Sequence, residues 1–187
     1  RSFAFVGATL IGAALFSSAI FKWVPRLAIH WRVRRYLGVA GFVFIFLHAL
    51  AVYHYYFNWQ ITASFFSWNP LKNPVIFGQL AFVVLFLMAA TSTDRAVQKL
   101  GRKWKNIHRL IYLGYPLAVY HFVLINPSAL KNAAGYLLLG MTGLALSGQF
   151  YWWTVTVWKK RGKTYGTVVG LLSIAAYVWL IVRALGW

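Results

Sequence analysis

Six stretches of nearly uninterrupted apolar residues divide this 187-residue chain. A bilayer core about 30 Å thick is crossed by a helix of about 20 apolar residues, and each stretch is close to that length. Only helices and closed barrels satisfy the backbone inside lipid, and these stretches are continuous rather than alternating. The sequence therefore predicts an all-α membrane protein, a single transmembrane domain over residues 1–187 built as a six-helix bundle. The predicted spans are 3–21, 36–57, 75–91, 107–125, 133–158 and 167–182.

Basic residues are concentrated in alternate connections between the predicted spans. Nineteen Lys and Arg accompany a single acidic residue, Asp94, and the positive-inside rule places such basic connections in the cytoplasm. Both termini are then predicted to lie outside. Basic loops beside a bilayer favour contact with anionic membrane lipid, and this pattern argues against nucleic acid as a partner. The basic residues of the first, third and fifth connections are Lys22, Arg26, Arg32, Arg34, Arg35, Arg95, Lys99, Arg102, Lys103, Lys105, Lys159, Lys160, Arg161 and Lys163.

The chain contains no cysteine, which excludes disulfides, iron–sulfur clusters and thiolate ligands. With one acidic side chain it also lacks the carboxylate pair that hydrolytic acid–base chemistry uses. Chemistry is therefore expected from histidine or from a bound cofactor. His48, His54, His108 and His121 lie within apolar spans, where ionisable groups are uncommon and usually functional. His30 lies in a basic connection, where it is expected to be solvated.

Depth in the bilayer selects one pair of histidines. His48 lies 13 residues after Arg35, about 20 Å into the second span. His121 lies 16 residues after Lys105, about 24 Å into the fourth span. Two opposed imidazoles hold a six-coordinate electron-transfer haem. The sequence therefore predicts haem b between the second and fourth helices, its iron ligated by His48 and His121 in the outer half of the bilayer, while His54 lines the outer surface.

A second haem is considered at His108, which lies at the cytoplasmic start of the fourth span. Arg34 lies 14 residues before His48 and shares its helical face. The ligand opposite His108 is then Arg34, another weak ligand, or none. His108 and His121 are 13 residues apart, about 140° out of phase on one ideal helix. A kink at Pro116 is predicted to bring them to a common face.

Several short motifs carry a family resemblance: Arg34–Gly38, Thr91–Thr93, Lys99–Trp104, Ile107–Leu110, Tyr112 and Pro116–His121. The first of them, with His48 following, resembles the start of the first haem helix in the ferric-reductase-like transmembrane family. The others resemble the cytoplasmic loop and the following helix of that family's MsrQ (YedZ-type) branch, which comprises haem-binding membrane subunits. The resemblance covers roughly residues 1–144.

The resemblance implies a helical bundle in the bacterial inner membrane that carries b-type haem. By matching positions, His48, His108 and His121 resemble the family's haem histidines, and Arg34 resembles an arginine near its inner haem region. Members of this branch relay electrons outward from a cytoplasmic flavin reductase or from quinol. Their acceptor is a molybdopterin-containing periplasmic methionine sulfoxide reductase. Flavin mononucleotide (FMN) is also associated with the family.

The leading hypothesis is therefore an electron-transfer subunit of an oxidoreductase system, which conducts electrons from a cytoplasmic donor to an outer-side redox protein. A second hypothesis is a non-catalytic membrane subunit that anchors or assembles a larger redox complex. A third is a transporter with histidines as a proton path. This last reading is weak, because the predicted spans contain no carboxylate to complete a proton relay.

Overall fold

The computed structural model describes residues 2–69 and 72–157, together with single helical positions at 168, 172 and 175. The described residues form helices and connecting turns without a strand, so the predicted all-α class is confirmed. The sixth predicted span and the fifth basic connection lie outside the described residues. The helices are α1 (Ser2–Trp23), α2 (Trp31–Phe57), α3 (Val75–Ala90), α4 (Asp94–Leu100), α5 (Arg102–Arg109), α6 (Ile111–Ile125) and α7 (Ala133–Val157), with 3-10 turns at Pro25–His30, Ile61–Phe65 and Pro127–Lys131.

Three of the helices match their predicted spans closely, and two do not. α2 begins at Trp31 rather than at Tyr36, so Arg34 and Arg35 belong to the helix instead of to a loop. The predicted fourth span is divided at Leu110, which leaves His108 on α5 and the rest of the span on α6. The division at Leu110 places His108 and His121 on different helices, and Pro116, where a kink or a change of winding was expected, lies inside α6.

Two stretches among the described residues are long and apolar enough to cross a membrane, Ser2–Phe21 and Pro25–Phe57. A third is obtained when Val75–Ala90 is joined to Asp94–Leu100 across a bend of 93°. α6 has 15 residues, or about 22 Å of helix, because the break at Leu110 shortens it. These apolar helices are compatible with a membrane bundle.

Helix packing is centred on α1, which contacts both α2 and α7, while α3 packs on α6. The approach of α1 to α2 depends on two glycines. A Cβ on Gly41 would stand 2.9 Å from the carbonyl oxygen of Gly7, and a Cβ on Gly7 would stand 2.8 Å from that of Gly41. Small residues at such crossings let membrane helices pack backbone to backbone. The main apolar core is formed by Ile11, Leu15, Leu85, Ile111, Tyr115, Val119, Leu139 and Ala145.

The bend after α3 is joined to α2 by an ion pair. Thr93 caps α4, its hydroxyl oxygen accepting a hydrogen bond from the backbone N–H of Ala96. Asp94, in the first turn of α4, accepts a hydrogen bond from Arg35 Nη1 at 2.5 Å. The carboxylate therefore links the start of α4 to the start of α2 on the predicted cytoplasmic side.

We expect the carboxyl of Asp94 to titrate below its usual range. The hydrogen bond and charge of Arg35 lower its pKa, because both favour the ionised form. The contribution of the ion pair to stability is fully present above the ordinary aspartate pKa of about 3.9 and is lost as pH falls through the lowered value. Asp94 is the one acidic side chain, so carbon-detected NMR of aspartate-labelled protein reports it without overlap from another. Arg35→Gln should return the pKa toward its ordinary value, and an unchanged pKa would contradict the pairing.

Candidate cofactor-binding sites

His121, on α6, is fixed by a backbone carbonyl at the start of α3. Its Nδ1 lies 2.8 Å from the carbonyl oxygen of Pro74. Because a carbonyl oxygen only accepts hydrogen bonds, Nδ1 carries the proton and Nε2 keeps its lone pair. A histidine in this tautomer can donate Nε2 to a metal, and a bond of this kind at the other nitrogen is the usual companion of metal ligation.

The ring of His121 lies directly against the first turns of α3. A Cβ built on Gly78 would stand 2.9 Å from the ring Cε1 and 3.0 Å from Nδ1 and from Nε2. Any side chain at this position would have to displace the imidazole. Gly78 and the Pro74 carbonyl together form a seat that fixes both the position and the tautomer of His121.

His48, the predicted partner of His121, is half-buried on α2. The two imidazoles lie close enough to interact electrostatically. Within the described residues, α2 packs mainly on α1 and α6 mainly on α3, with little direct contact between α2 and α6. The structure therefore carries the predicted pair on two helices that make little direct contact with each other.

The inner histidine, His108, is held by Thr91 and Trp104. The hydroxyl of Thr91 donates to the carbonyl of Leu87 at 2.7 Å, so its oxygen accepts from His108 Nε2 at 3.2 Å. Trp104 stacks on the imidazole with ring centroids 4.0 Å apart, and its indole N–H donates to the Thr91 carbonyl at 2.9 Å. In this arrangement Nε2 of His108 carries the proton, the reverse of the tautomer at His121.

A cavity of about 360 Å³ opens beside His108. Arg34 and Gly38 line it from α2, and Trp104 and His108 line it from α5. Nothing lies within 4 Å of the point where a Cβ on Gly38 would stand, so this helix face is open to an occupant. Arg34 interacts electrostatically with His108. The structure therefore places Arg34 and His108 at the same cavity. The sequence had suggested Arg34 for an inner site because it lies 14 residues before His48, on the same face of the helix.

The remaining histidines lie away from these two sites. His54 is exposed at the far end of α2, with its ring centroid 4.7 Å from that of Tyr55 and 5.7 Å from that of Trp59. His30 is exposed in the turn that precedes α2.

Among the described residues no group of three or more His, Asp or Glu side chains could hold a bare metal ion. Haem needs only one or two protein ligands, since the porphyrin supplies the other four.

Four contributors to these sites were not identified as such from the sequence. The Pro74 carbonyl is a backbone group, and no residue pattern marks it. Gly78 is an isolated glycine in an apolar run, a position that suggests close packing without naming the partner. Thr91 was noticed only within a family motif. Trp104 was noted at the end of the Lys99–Trp104 family motif, and its stacking on His108 was not predicted.

Comparison with known proteins finds one matching family and similar individual proteins. The family described as "Ferric reductase like transmembrane component" matches residues 3–119, a segment that includes His48 and His108 and ends two residues before His121. The chain is 38% identical over 123 residues to the "Protein-methionine-sulfoxide reductase heme-binding subunit MsrQ" of Caulobacter vibrioides, covering 62% of this chain and 54% of that protein. It is 29% identical over 124 residues to the "Magnetosome protein MamZ" of Magnetospirillum gryphiswaldense, covering 65% of this chain and 18% of that protein. No solved structure matches the chain.

Proposed function

Because the chain belongs to the ferric reductase-like transmembrane family, we propose that it holds b-type haem between α2 and α6 and passes electrons across a bilayer. The observation that carries this proposal is the seat of His121, which leaves Nε2 as a free donor while Nδ1 donates to Pro74. His48 lies near it on a helix that does not pack on α6. A group ligated by both imidazoles would join these two helices.

Each outer residue has a separate task in this proposal. His121 and His48 would hold the iron of the haem, and the Pro74 carbonyl would keep His121 in the tautomer that leaves Nε2 available. When bound, haem supplies one-electron oxidation and reduction at its iron. Apolar helices in a bilayer would keep water from the pair, so the surroundings would stay fixed when the charge at the site changes.

We assign the inner cavity to a second haem, with His108 as its imidazole ligand and Arg34 on the opposite wall. The open face at Gly38 leaves room for a flat ring beside α2. His108 Nε2 would have to leave the Thr91 hydroxyl in order to bind iron. The guanidinium of Arg34 would compensate the negative charge of haem propionates there.

The direction of electron transfer is inferred from the position of the basic segments, and the partner proteins are inferred from the similarity to a known heme-binding subunit. The basic α2 start and the α4–α5 segment would face the cytoplasm, where a flavin reductase or quinol would deliver electrons. The similarity to a heme-binding subunit of a methionine sulfoxide reductase supports an outer-side redox protein of that kind as the acceptor. The chain spans about half the length of that relative. A six-span bundle in a bacterial inner membrane, with both ends outside, completes the proposal.

The test is the absorption spectrum and the haem content of the purified chain. A b-type Soret band, a sharp α-band after reduction and two haems per chain are expected. A colourless, stably folded preparation would refute the proposal and would favour the alternative of an anchor or assembly subunit.

Replacing His108 by alanine should remove the inner haem and leave the outer one. We expect haem content to fall from two per chain to one, with the outer spectrum retained, because His108 and His121 lie on different helices and bind different partners. Pyridine haemochrome analysis measures the content. Selective loss of the outer haem would show that the depth assignment is wrong.

A further inference from the structure

A buried polar cluster joins α2, α3 and the connection between them on the predicted outer side. Ser64 and Asn73 are fully buried although both are polar. Gln79 Nε2 donates to the hydroxyl oxygens of Ser64 at 2.6 Å and Tyr53 at 2.9 Å. Asn73 Nδ2 donates to the backbone carbonyls of Ser64 at 2.9 Å and Ser67 at 3.1 Å. We call the four side chains Tyr53, Ser64, Asn73 and Gln79 the outer bracket.

The hydrogen bonds of the outer bracket have one consistent direction. The hydroxyl of Ser64 donates to the Ile61 carbonyl at 2.6 Å, so its oxygen accepts from Gln79 and from the Tyr53 hydroxyl, 3.2 Å away. Both Nδ2 hydrogens of Asn73 are used on carbonyls, which leaves Oδ1 to accept from the Val75 N–H at 3.3 Å. These hydrogen bonds tie α2, the connecting segment and α3 together, while the buried Oε1 of Gln79 has no hydrogen-bond partner among the described residues.

The outer bracket ends at the carbonyl that holds His121. Asn73 directly precedes Pro74, and its side-chain oxygen and its backbone oxygen accept from the N–H groups of Val75 and Ile76. These bonds fix the first turn of α3, where the Pro74 carbonyl meets His121 Nδ1. The orientation of that carbonyl therefore depends on Asn73, whose described hydrogen bonds go to Ser64, Ser67, Val75 and Ile76 rather than to the imidazole.

We propose that Asn73 is a positioning residue for His121 and that, through the Pro74 carbonyl, it sets the reduction potential of the outer haem. This inference rests on the proposed function. A histidine whose Nδ1–H is firmly bonded to a carbonyl is a stronger electron donor at Nε2. A stronger donor stabilises the oxidised iron, so an intact outer bracket holds the potential down.

The test is redox titration of the purified haem-loaded chain carrying Asn73→Ala. We expect the midpoint potential to rise by about 59 mV, which corresponds to a tenfold change in the one-electron equilibrium. The low-spin electron paramagnetic resonance signal of the outer haem should shift with it. Asn73→Ser, which retains a small polar side chain at the start of α3, should give a smaller shift in the same direction and carries the test if the alanine variant does not fold.

Thr142→Val is the matched control for a lost buried hydrogen bond. It removes the bond between Thr142 and the Tyr115 hydroxyl in the fully buried interior of α6 and α7, far in sequence from the outer bracket. We expect lower stability with an unchanged potential. Equal shifts in the Asn73 and Thr142 variants would mean that general loosening moves the potential, and the proposal would be overturned.

Gly78→Ala acts on the imidazole directly, because its Cβ would stand 2.9 Å from the His121 Cε1 and 3.0 Å from Nδ1, so the ring that donates to the Pro74 carbonyl must shift. Its potential should rise as in Asn73→Ala, whereas Gly140→Ala, with nothing within 4 Å of the added Cβ, should change nothing. If the wild-type chain binds no haem, the proposed function fails. If it binds haem and the Asn73 variants keep the wild-type potential, only the positioning role fails.

Discussion

Alanine at His121 or at His48 is expected to abolish binding of the outer haem. In the proposed site, each substitution would remove one of the two imidazole ligands. Loss of a partner that merely orients a ligand costs about 10–100-fold in metal affinity, so loss of the ligand itself should cost more than about 100-fold. Haem content should fall by one per chain, with loss of the six-coordinate low-spin spectrum. Pyridine haemochrome analysis and the reduced α-band provide the measurement.

His54→Ala and His30→Ala are the controls for this experiment. Both side chains are exposed, and His54 makes its described ring contacts with Tyr55 and Trp59. Their variants should keep the wild-type haem content. Retention of the outer haem in either His48→Ala or His121→Ala would contradict the assigned pair, as would its loss in His54→Ala.

The second large effect is expected from alanine at Gly41. The added Cβ would stand 2.7 Å from Ile11 Cγ1 and 2.9 Å from the Gly7 carbonyl oxygen. A backbone oxygen cannot rotate away as a flexible side chain can, so α1 and α2 must move apart. Overpacking of this kind costs about 1–3 kcal/mol, and here the cost should lie at the upper end. The thermal unfolding midpoint of the detergent-solubilised chain should fall clearly.

Gly140→Ala gives the comparison for this prediction as well. Its added Cβ would meet nothing within 4 Å, and alanine is favoured over glycine inside a helix by about 1 kcal/mol. Its unfolding midpoint should stay the same or rise. An unchanged midpoint in Gly41→Ala would mean that the close α1–α2 approach is not maintained in solution.

The helices could be predicted from the sequence because long apolar runs have one stable conformation in lipid. The same pattern could not locate the break at Leu110, because Leu110 lies between Arg109 and Ile111 and neither neighbour is a glycine or proline. Pro116 was the expected point of distortion, yet α6 continues through it. Local propensity marks where a helix is weak, whereas tertiary contacts decide where it ends.

The candidate sites were predictable to the extent that side chains identify them. The similar depths predicted for His48 and His121 follow from the helix rise, and their pairing stays a prediction. Arg34 was suggested for the inner site because it lies 14 residues before His48 on one helical face, and the structure places it at the same cavity as His108. What holds each histidine could not be predicted, because the Pro74 carbonyl is a backbone atom and Trp104 reaches His108 through a stacking contact. Both contacts depend on tertiary geometry.

The break at Leu110 also has a mechanical meaning. A continuous helix from Arg102 to Ile125 would carry His108 and His121 on one element and couple their positions. Because the helix is divided at Leu110, the two histidines belong to separate elements with separate supports. α5 is attached to Thr91 through Trp104 and His108, whereas α6 packs on α3.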